Sequence, residues 1–432
     1  MKVNVITMGC SKNLVDSERL ARMFEAAGMD VVFDADNFEG GSVVINTCGF
    51  IGDAKEESIE MILSAAALRS QGVIDGLYVM GCLSERYRKE LPSEIPEVDG
   101  WYGKFDWPAI VGVLAQSEQK TKTKDWERIL SSAGHHAYVK IAEGCNRFCA
   151  FCAIPLITGR YKSRPVEEIL DEVRSLVASG VKEFNIIAQD LSNYGRDLDG
   201  GVSRLALLLD SMADIEGVEM IRLHYAYPAD FPYDILPVMA RRSNICKYLD
   251  IALQHISDKV LDNMRRHITG AETRALLERI RREVPGIHIR TTLIVGFPGE
   301  GEAEFEELKA FVAEQRFERM GAFAYCEEDD TYAARHFADD IPEDTKQRRL
   351  DELMAIQQEI ALESNRAKIG TVLRVIIDSE NDDYYVGRTE FDSPEVDPEV
   401  MVEKTRVLRP GDLCMVRIKD ASEFELVGCI EE

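Results

Sequence analysis

The stretch EGCNRFCAFC, residues 143–152, places Cys145, Cys149 and Cys152 at the spacing CxxxCxxC. Four-iron clusters are held by cysteine thiolates, and ferredoxin-type sequences bring a fourth cysteine close behind the first three. In this chain the next cysteine is Cys246, far along the sequence. A cluster on these three thiolates would therefore leave one iron open to a small molecule, which is the arrangement that a catalytic cluster needs.

Two other interpretations of the three cysteines remain open at this point. Structural zinc takes four ligands, and a zinc ion could combine the three thiolates with His135 or His136. The cysteines could also be ordinary buried thiols, since free cysteine is among the most buried residue types.

A neighbouring aromatic residue favours the cluster interpretation. Phe151 stands directly before the third cysteine, and CNRFCAFC resembles the signature of the radical S-adenosylmethionine superfamily. The resemblance implies that the open iron binds the amino and carboxylate groups of S-adenosylmethionine. It also implies that the aromatic side chain of Phe151 packs near the adenine of that cofactor.

Length, composition and charge narrow the class of protein. A chain of 432 residues, 45% of them hydrophobic, suggests about two to three domains with sizeable cores. No apolar run approaches the roughly eighteen residues of a membrane span, and the N-terminus lacks the pattern of a signal peptide, so we expect a cytoplasmic protein. Ten cysteines at this density indicate metal binding or catalysis rather than a disulfide framework. The formal charge of −26 opposes binding to a polyanion, and it suits a basic partner as well as simple solubility.

The first 125 residues alternate between strand-like and helical patterns. Three strand-like runs end at Cys10, Cys48 and Cys82. We expect Asp16 or Ser17 to cap the first helix, and Asp53 with Glu56 to form a capping box for the second. The carboxyl ends of parallel strands lie at one edge of a sheet, so the sequence predicts that the three cysteines converge there. The alternative for each cysteine is again a buried free thiol.

These cysteine motifs carry a second resemblance. GCSKNLVDSE, INTCGFI and MGCLSERY resemble the three cysteine motifs of the methylthiotransferase family. The resemblance implies an N-terminal methylthiotransferase domain over residues 1–125, with Cys10, Cys48 and Cys82 holding an auxiliary 4Fe-4S cluster. It also implies that Cys145, Cys149 and Cys152 hold the radical 4Fe-4S cluster.

The sequence predicts a second domain over residues 134–342. The segment WERILSSAGHHAY is the predicted connector to it, and residues 131–134 are the loosest part of that connector. Six strand-like runs alternate with helical stretches, a pattern typical of a partial (β/α)6 barrel, and sites in such barrels lie at the carboxyl ends of the strands. Residues in or at the ends of those strands are candidates for cofactor contacts: Gln189 and Asp190 after the second, Arg222 in the third, Gln254 and His255 at the end of the fourth, and Gly296 after the fifth. The superfamily's usual Gly-Gly-Glu stretch after the second strand is missing here. The resemblance therefore carries over only Phe151, Arg222, Gln254 and Gly296 as contacts to S-adenosylmethionine.

The last part of the chain predicts a connecting helix over residues 343–363 and a small antiparallel β-barrel over residues 364–432. This barrel resembles the TRAM domain. It contains nine basic and sixteen acidic residues, a formal charge of −7, which makes it a poor surface for RNA and a good one for a basic protein. The remaining cysteines lack metal-like spacing and are expected to be packing residues: Cys246, Cys326, Cys414 and Cys429.

The resemblance is strongest to the branch of the family that modifies the basic small-subunit ribosomal protein S-twelve. It implies a transferase that inserts a methylthio group at the β-carbon of an aspartate, through a 5′-deoxyadenosyl radical made by the radical cluster. The auxiliary cluster would present the sulfur, a second S-adenosylmethionine would supply the methyl group, and unidentified donors would supply sulfur and electrons. No side chain beyond the cluster ligands is assigned a catalytic role.

Two rival functions remain open. A tRNA adenosine 2-methylthiotransferase would have the same cluster ligands, but the acidic terminal barrel and Lys162 in TGRYKSR, where the tRNA branch carries an acidic residue, argue against it. A non-catalytic iron-sulfur protein that carries electrons or clusters would explain the cysteines. It would not explain six βα units behind an open-site cluster.

Overall fold

The computed structural model describes residues 1–35, 40–115, 123–131, 134–198 and 200–431. Residues 132 and 133 of the predicted connector lie outside the described residues. In this part of the chain three main sheets follow one another in sequence, an open five-stranded sheet, an open six-stranded sheet and a closed five-stranded barrel, and a small two-stranded sheet is also present. No helix in these described ranges is long and apolar enough to cross a membrane.

The N-terminal sheet is parallel throughout, with strand order β2-β1-β3-β4-β5. Its strands are β1 (Lys2–Thr7), β2 (Asp30–Phe33), β3 (Ser42–Thr47), β4 (Gly76–Gly81) and β5 (Gly100–Trp101). Its helices are α1 (Ser11–Ala26), α2 (Gly52–Ser70), α3 (Cys82–Arg86), α4 (Leu91–Glu94) and α5 (Trp107–Ala115). The strands that precede the three N-terminal cysteines are therefore neighbours in the sheet.

Both predicted helix caps in this domain are wrong. Helix α1 begins at Ser11, directly after Cys10, so Asp16 and Ser17 lie buried inside the helix. Helix α2 begins at Gly52, and no side chain caps its first turn. The reason is tertiary: the Asp16 carboxylate binds two buried lysines, and that pairing outweighs its local preference for a cap.

The central sheet consists of six parallel strands in the order β13-β12-β11-β10-β9-β6. These strands are β6 (His136–Lys140), β9 (Glu183–Ile187), β10 (Met220–Ala226), β11 (Ile245–Ile251), β12 (His288–Val295) and β13 (Arg319–Ala324). A two-stranded hairpin joins β7 (Ala142–Glu143) to β8 (Lys162–Ser163). The six predicted strands are all present, and the parallel order agrees with the predicted partial barrel.

Helices cover the outside of this sheet and enclose the largest apolar core of the described chain. The helices of this domain that line the core are α7 (Val166–Ala178), α8 (Leu205–Ala213), α9 (Ile235–Arg241), α11 (Gly270–Glu283) and α12 (Glu302–Gln315). The shorter helices α6 (Ile154–Thr158), α10 (Asp258–Asn263) and α13 (Tyr332–His336) contribute to smaller clusters. A 3-10 turn lies at Leu191–Asn193. A capping box does form in this domain, where Thr269 and Glu272 begin α11.

Helix α14 (Glu343–Arg366) packs against α12 and β13 and leads to the terminal barrel. That barrel contains β14 (Val372–Glu380), β15 (Tyr384–Thr389), β16 (Glu399–Glu403), β17 (Leu413–Ala421) and β18 (Glu425–Ile430). The barrel closes in the order β14-β15-β16-β18-β17. Two features differ from the prediction: β16 was missed, and its pairing with β18 is parallel, so the barrel is not purely antiparallel.

The terminal barrel docks on the amino ends of the central strands through buried charges. Glu183, at the start of β9, accepts hydrogen bonds from Arg388 at 2.7 and 2.9 Å and from Arg222 at 3.2 Å. Burial opposes the charged form of Glu183, but Arg388 and Arg222 outweigh this and lower its pKa. Arg222 also donates to the backbone carbonyl of Glu390 at 2.6 Å. The two barrels are therefore held together at the end of the sheet opposite to the carboxyl ends of its strands.

Candidate functional site

The CxxxCxxC loop lies at the carboxyl end of β6, where the barrel was expected to carry its site. The Cys145 amide donates to the Gly159 carbonyl at 3.2 Å. The Ala150 amide donates to the Met264 carbonyl at 2.9 Å, and the Ala150 carbonyl accepts from the Ala333 amide at 2.8 Å. These bonds tie the middle of the loop to the segments that follow β11 and β13, so two distant parts of the barrel fix where the cysteines lie.

The loop thiols form a mutually interacting set, which we call the loop triad (Cys145, Cys149 and Cys152). Burial raises the pKa of Cys145 to about 12, and the neighbouring Cys149 adds to this. Burial and the same neighbour raise the pKa of Cys152. These mutual effects show that the three thiols lie close to one another, as a shared ligand requires.

The zinc alternative does not fit the structure. The His135 Nε2 atom lies 2.7 Å from an Asp378 carboxylate oxygen of the terminal barrel, and both histidines lie at the amino end of β6, away from the loop. Among the described residues, no three His, Cys, Asp or Glu side chains are arranged to hold one metal ion. A four-iron cluster binds each thiolate to a different iron, so it requires a wider spacing than a single ion does.

A buried guanidinium lies against the loop triad. Arg266, 2% exposed, donates from Nη1 to the Cys149 Sγ atom at 3.1 Å and from Nη2 to the Ala252 carbonyl. Its guanidinium also lies 4.1 Å from the centre of the Tyr227 ring, and the Tyr227 hydroxyl is 3.9 Å from Cys149 Sγ. A buried cation requires a compensating negative charge, and Cys149 Sγ is the only side-chain atom of the described residues that accepts a hydrogen bond from Arg266.

The other three cysteines converge at the carboxyl edge of the N-terminal sheet, as predicted, and we call them the sheet triad (Cys10, Cys48 and Cys82). Two of the glycines beside them are required by close packing. Gly9 has a φ of +87°, and a Cβ there would lie 2.6 Å from Cys48 Cβ. Gly81 has a φ of +103°, and a Cβ there would lie 2.5 Å from Asn46 Oδ1. Only glycine adopts these conformations without strain.

The sheet triad has its own charged neighbour, Lys104. This ammonium, 2% exposed, lies 3.8 Å from Cys82 Sγ and 3.2 Å from Asp16 Oδ2. Burial raises the pKa of Cys82 to about 12, although Lys104 opposes the shift. Burial also acts to raise the pKa of Cys10, but Lys12 and backbone amides hold it below its usual value.

The sheet triad and the segment that follows the loop triad are in contact where the N-terminal domain meets the barrel. Cys82 packs with Ala153 and Ile157, which follow directly after the loop triad. Lys104 lies 3.8 Å from Glu143, two residues before Cys145. Glu143 in turn binds Lys140 at 2.7 Å and accepts a hydrogen bond from Gln189. A path of contacts thus runs from Cys82 through Lys104 to Glu143, which lies two residues before the loop triad.

The charges in this path are balanced. Lys140 also binds Asp16, so two lysines from two domains share two carboxylates. Burial opposes the charged form of Glu143, but Lys140 and Lys104 outweigh burial and lower its pKa to about 2. The lowered pKa keeps Glu143 ionised near neutral pH, and the ion pairs of the network help to fix the N-terminal domain against the barrel.

Of the predicted cofactor contacts, Phe151 packs beside the loop triad and Gln254 lies near the carboxyl end of β11. The Phe151 ring lies 6.4 Å from that of Phe297 and packs beside Cys149 and Tyr227. Gln254 lies just beyond β11, next to the segment that binds Arg266, with a φ of +72° and a buried Oε1 atom that has no hydrogen-bond partner. An unpartnered buried amide oxygen fits a polar ligand at this face.

The other two predicted contacts have different surroundings. Arg222 lies near the amino end of β10, and its contacts with Glu183 and the terminal barrel hold it away from the loop triad. Gly296 packs against α14, where a Cβ would lie 2.4 Å from Lys346 Cγ. Asp190 binds Arg147 of the cysteine loop at 2.6 Å, so this candidate orients the loop.

Sequence reasoning missed the cations beside the triads. Lys104 and Arg266 are distant in sequence from the cysteines that they contact, and no local pattern marks them. The glycines carried a usable signal, since each cysteine of the sheet triad has a glycine beside it, in Gly9-Cys10, Cys48-Gly49 and Gly81-Cys82. Cys326 also departs from expectation, because it is exposed and not packed in a core.

Three family models match the chain in the order of its domains. The model described as "Uncharacterized protein family UPF0004" matches residues 2–103. The model of the radical SAM superfamily matches residues 139–312. The model of the TRAM domain matches residues 369–430.

Solved structures show the same fold at low sequence identity. The radical S-adenosylmethionine methyltransferase TsrM from Kitasatospora setae, solved with cobalamin and a [4Fe-4S] cluster bound, is 13% identical, with a TM-score of 0.56 over 75% of this chain and 74% of that one. The cobalamin-dependent S-adenosylmethionine radical enzyme OxsB has a TM-score of 0.51 at 11% identity, over 83% of this chain and 56% of that one.

Full-length relatives are much more similar. The ribosomal protein uS12 methylthiotransferase RimO of Parabacteroides distasonis is 57% identical over 99% of this chain and 98% of the relative. The RimO protein of Phocaeicola vulgatus is 56% identical over 99% of both chains, and that of Christiangramia forsetii is 48% identical over 99% and 94%. The chain therefore belongs to the RimO family of ribosomal protein uS12 methylthiotransferases.

Proposed function

We propose that this protein is a radical S-adenosylmethionine methylthiotransferase that adds a methylthio group to the β-carbon of an aspartate in ribosomal protein uS12. It uses two 4Fe-4S clusters and consumes two molecules of S-adenosylmethionine in each turnover. Cys145, Cys149 and Cys152 hold the radical cluster, and the sheet triad holds the auxiliary cluster. A ribosomal substrate would place the enzyme in the cytoplasm.

The observation that carries the chemistry is the meeting of two cysteine triads from two domains. Each triad offers three thiols, so each leaves one iron of a four-iron cluster without a protein ligand. The contact of Cys82 with Ala153, the residue directly after Cys152, supports an arrangement in which the two sites are neighbours. This arrangement suits a reaction in which one site generates a reactive species and the other presents an atom for transfer.

When bound, the clusters and S-adenosylmethionine supply one-electron chemistry that breaks an unactivated C–H bond, together with the sulfur and the methyl group. The protein's own residues hold and orient these groups. Arg147 and Asp190 fasten the cysteine loop to the end of β9. Phe151 offers an aromatic face beside the loop triad, and Gln254 offers an unpartnered amide oxygen there. Both are proposed contacts to S-adenosylmethionine.

The buried network between the domains supports a fixed spacing of the two proposed sites. Asp16 and Lys104 come from the N-terminal domain, and Lys140 and Glu143 come from the barrel. Charges at such an interface fix its register, because any shift leaves a buried charge without its partner. We assign these four residues the role of aligning the two clusters over the substrate.

Substrate identity rests on the relatives and on charge. The relatives act on uS12, as their names state. The formal charge of −26, and of −7 over residues 364–432, favours a basic protein over a polyanion, because nucleic-acid affinity depends on phosphate neutralisation by basic side chains. A tRNA with an N6-modified adenosine is therefore the competing substrate in the experiment that follows.

The test offers the anaerobically reconstituted, reduced enzyme two substrates in separate reactions with S-adenosylmethionine and sulfide. One is a uS12 peptide that contains the aspartate, and the other is a tRNA with an N6-modified adenosine. Mass spectrometry then measures the mass gain of one methylthio group. We expect the gain on the peptide alone, and enzyme left unreduced is the control. Gain on the tRNA alone would refute the protein substrate while leaving the cluster assignment intact.

A further inference from the structure

Arg266 is exceptional among the buried arginines of the described chain. Six arginines are buried in residues 1–35, 40–115, 123–131, 134–198 and 200–431: Arg19, Arg222, Arg266, Arg319, Arg349 and Arg388. Five of them lie within 4 Å of a carboxylate. No described carboxylate lies within that distance of Arg266, whose polar partners are Cys149 Sγ and the Ala252 carbonyl.

Because no described carboxylate pairs with Arg266, its positive charge must be balanced by another group. A guanidinium keeps its charge under all ordinary conditions, and a buried, unpaired charge is strongly unfavourable. The nearest group that can carry a negative charge is the Cys149 thiol, at 3.1 Å. The arginine is therefore positioned for the thiolate form of Cys149, which exists when the loop triad binds iron.

The surroundings hold the guanidinium in this orientation. The Tyr227 ring lies between two arginines, with the Arg266 guanidinium 4.1 Å and the Arg147 guanidinium 4.2 Å from its centre. The Tyr227 hydroxyl donates to the Arg266 carbonyl at 2.7 Å, which fixes the backbone from which the side chain extends. Arg147 is neutralised by Asp190 at 2.6 Å, so the positive charge left at the thiol is that of Arg266.

We propose that Arg266 is a positioning residue that acts through Cys149, stabilises the more negative, one-electron-reduced state of the cluster on the loop triad, and so raises its reduction potential. This inference rests on the proposed function. The step is the transfer of one electron from an external low-potential donor, dithionite in the assay, to the oxidised cluster, with no bond formed or broken. Hydrogen bonds to the sulfurs and nearby charge are established determinants of the potentials of such clusters.

The test is a potentiometric titration of full-length, reconstituted protein, followed by electron paramagnetic resonance. The radical cluster is identified as the signal that changes when S-adenosylmethionine is added. We expect Arg266→Gln to reduce about tenfold less readily, which is a shift of about 59 mV for one electron. Arg266→Lys retains the charge, and we expect it to differ from the parent protein by less than about threefold, or about 28 mV by the same conversion.

Arg265→Gln is the matched control. Arg265 is the preceding residue and lies over the Tyr332 ring at 4.6 Å, with no recorded contact to the loop triad in the described chain. The Arg265→Gln substitution removes the same charge from the same loop, and it should leave the reduction potential of the radical cluster unchanged. An equal shift in Arg265→Gln and Arg266→Gln would overturn the inference, as would an unshifted Arg266→Gln protein or equal shifts in the glutamine and lysine variants.

Cluster loss is also informative. If Arg266→Gln binds no iron at the loop triad while Arg266→Lys binds it fully, the charge requirement is supported at the stage of assembly. If both variants lose the iron, the role of Arg266 is one of shape, and the inference fails. Failure of the proposed function looks different, because the unsubstituted protein would then show no signal that responds to S-adenosylmethionine.

Discussion

Replacing Asp16 with Asn should weaken the N-terminal domain and its contact with the barrel more than any surface change. The Asp16 side chain is 1% exposed and binds Lys104 at 3.2 Å as well as Lys140. Asparagine has nearly the same shape, so the change removes charge without opening a cavity. It leaves two buried ammonium groups to share Glu143. Breaking a buried ion pair by removing one partner costs about 3–5 kcal/mol, and we expect a loss of this size.

Urea titration followed by tryptophan fluorescence measures the loss of unfolding free energy in the N-terminal domain. The three tryptophans of the chain, Trp101, Trp107 and Trp126, all lie in the N-terminal domain or the connector, so the signal reports that part of the molecule. At an m-value of about 2 kcal/mol per molar, the expected loss lowers the midpoint by roughly 2 M urea. Thermal unfolding should show a fall of about 10 °C or more.

A matched control and a double variant make the test decisive. Glu57→Gln removes the same charge from an exposed position on α2 and should change stability by less than about 0.5 kcal/mol. Lys104→Met in the Asp16→Asn background restores the charge balance, so the double variant should be more stable than the sum of the two single losses predicts. Coincident midpoints for Asp16→Asn and Glu57→Gln would refute the idea that this network holds the interface.

Three further changes test the triads and the docking of the terminal barrel. Cys149→Ala should abolish cleavage of S-adenosylmethionine. Cys48→Ala should retain cleavage, stop methylthiolation and lose about half of the iron. Assays of 5′-deoxyadenosine, of product and of iron separate these cases, and full product from Cys48→Ala would disprove the two-cluster assignment. Gly81→Ala should lose iron from the sheet triad, because the added Cβ would lie 2.5 Å from Asn46 Oδ1. Gly28→Ala is the control and should keep its iron, because Gly28 has a similar φ of +82° but open space around it. Equal iron contents in the two variants would contradict the packing argument. Glu183→Gln should lower the thermal midpoint at pH 7. A lowered carboxylate pKa contributes stability above the unfolded pKa that is lost on acidification, so the difference in unfolding free energy between the variant and the parent protein should narrow by about 1.4 kcal/mol per pH unit below about pH 4.5. A difference independent of pH would count against the pairing.

The sequence predicted what is encoded locally. The cysteine spacing, the six strands of the barrel and the long helix near residue 343 all depend on short-range periodicity or on adjacent residues. The convergence of Cys10, Cys48 and Cys82 was also predictable, because parallel strands end at one edge of a sheet. The short strand β16 was missed because its acidic ends resemble a loop more than a strand.

The rest depends on contacts between distant residues. Asp16 looked like a helix cap, but its partners Lys104 and Lys140 lie in other segments of the chain. Arg222 was assigned to the cofactor face by resemblance, yet it is the third residue of β10, and a residue near the start of a strand cannot lie at its carboxyl end. Gln254, which follows the end of β11, was the better candidate by the same rule. Accurate strand bounds would have separated the two.

The two triads differ in the charge that surrounds them, although both offer three thiols. The cation beside Cys82 is Lys104, which Asp16 and Glu143 neutralise within 4 Å. The cation beside Cys149 is Arg266, which no described carboxylate neutralises at that distance. A compensated charge changes a reduction potential little, and an uncompensated one favours the state with the extra electron. The protein thus makes electron acceptance easier at the loop triad, where cleavage of S-adenosylmethionine requires an electron. Lys104 gives no comparable help beside Cys82, because Asp16 and Glu143 offset its charge, and the proposed task of the sheet triad is to hold sulfur.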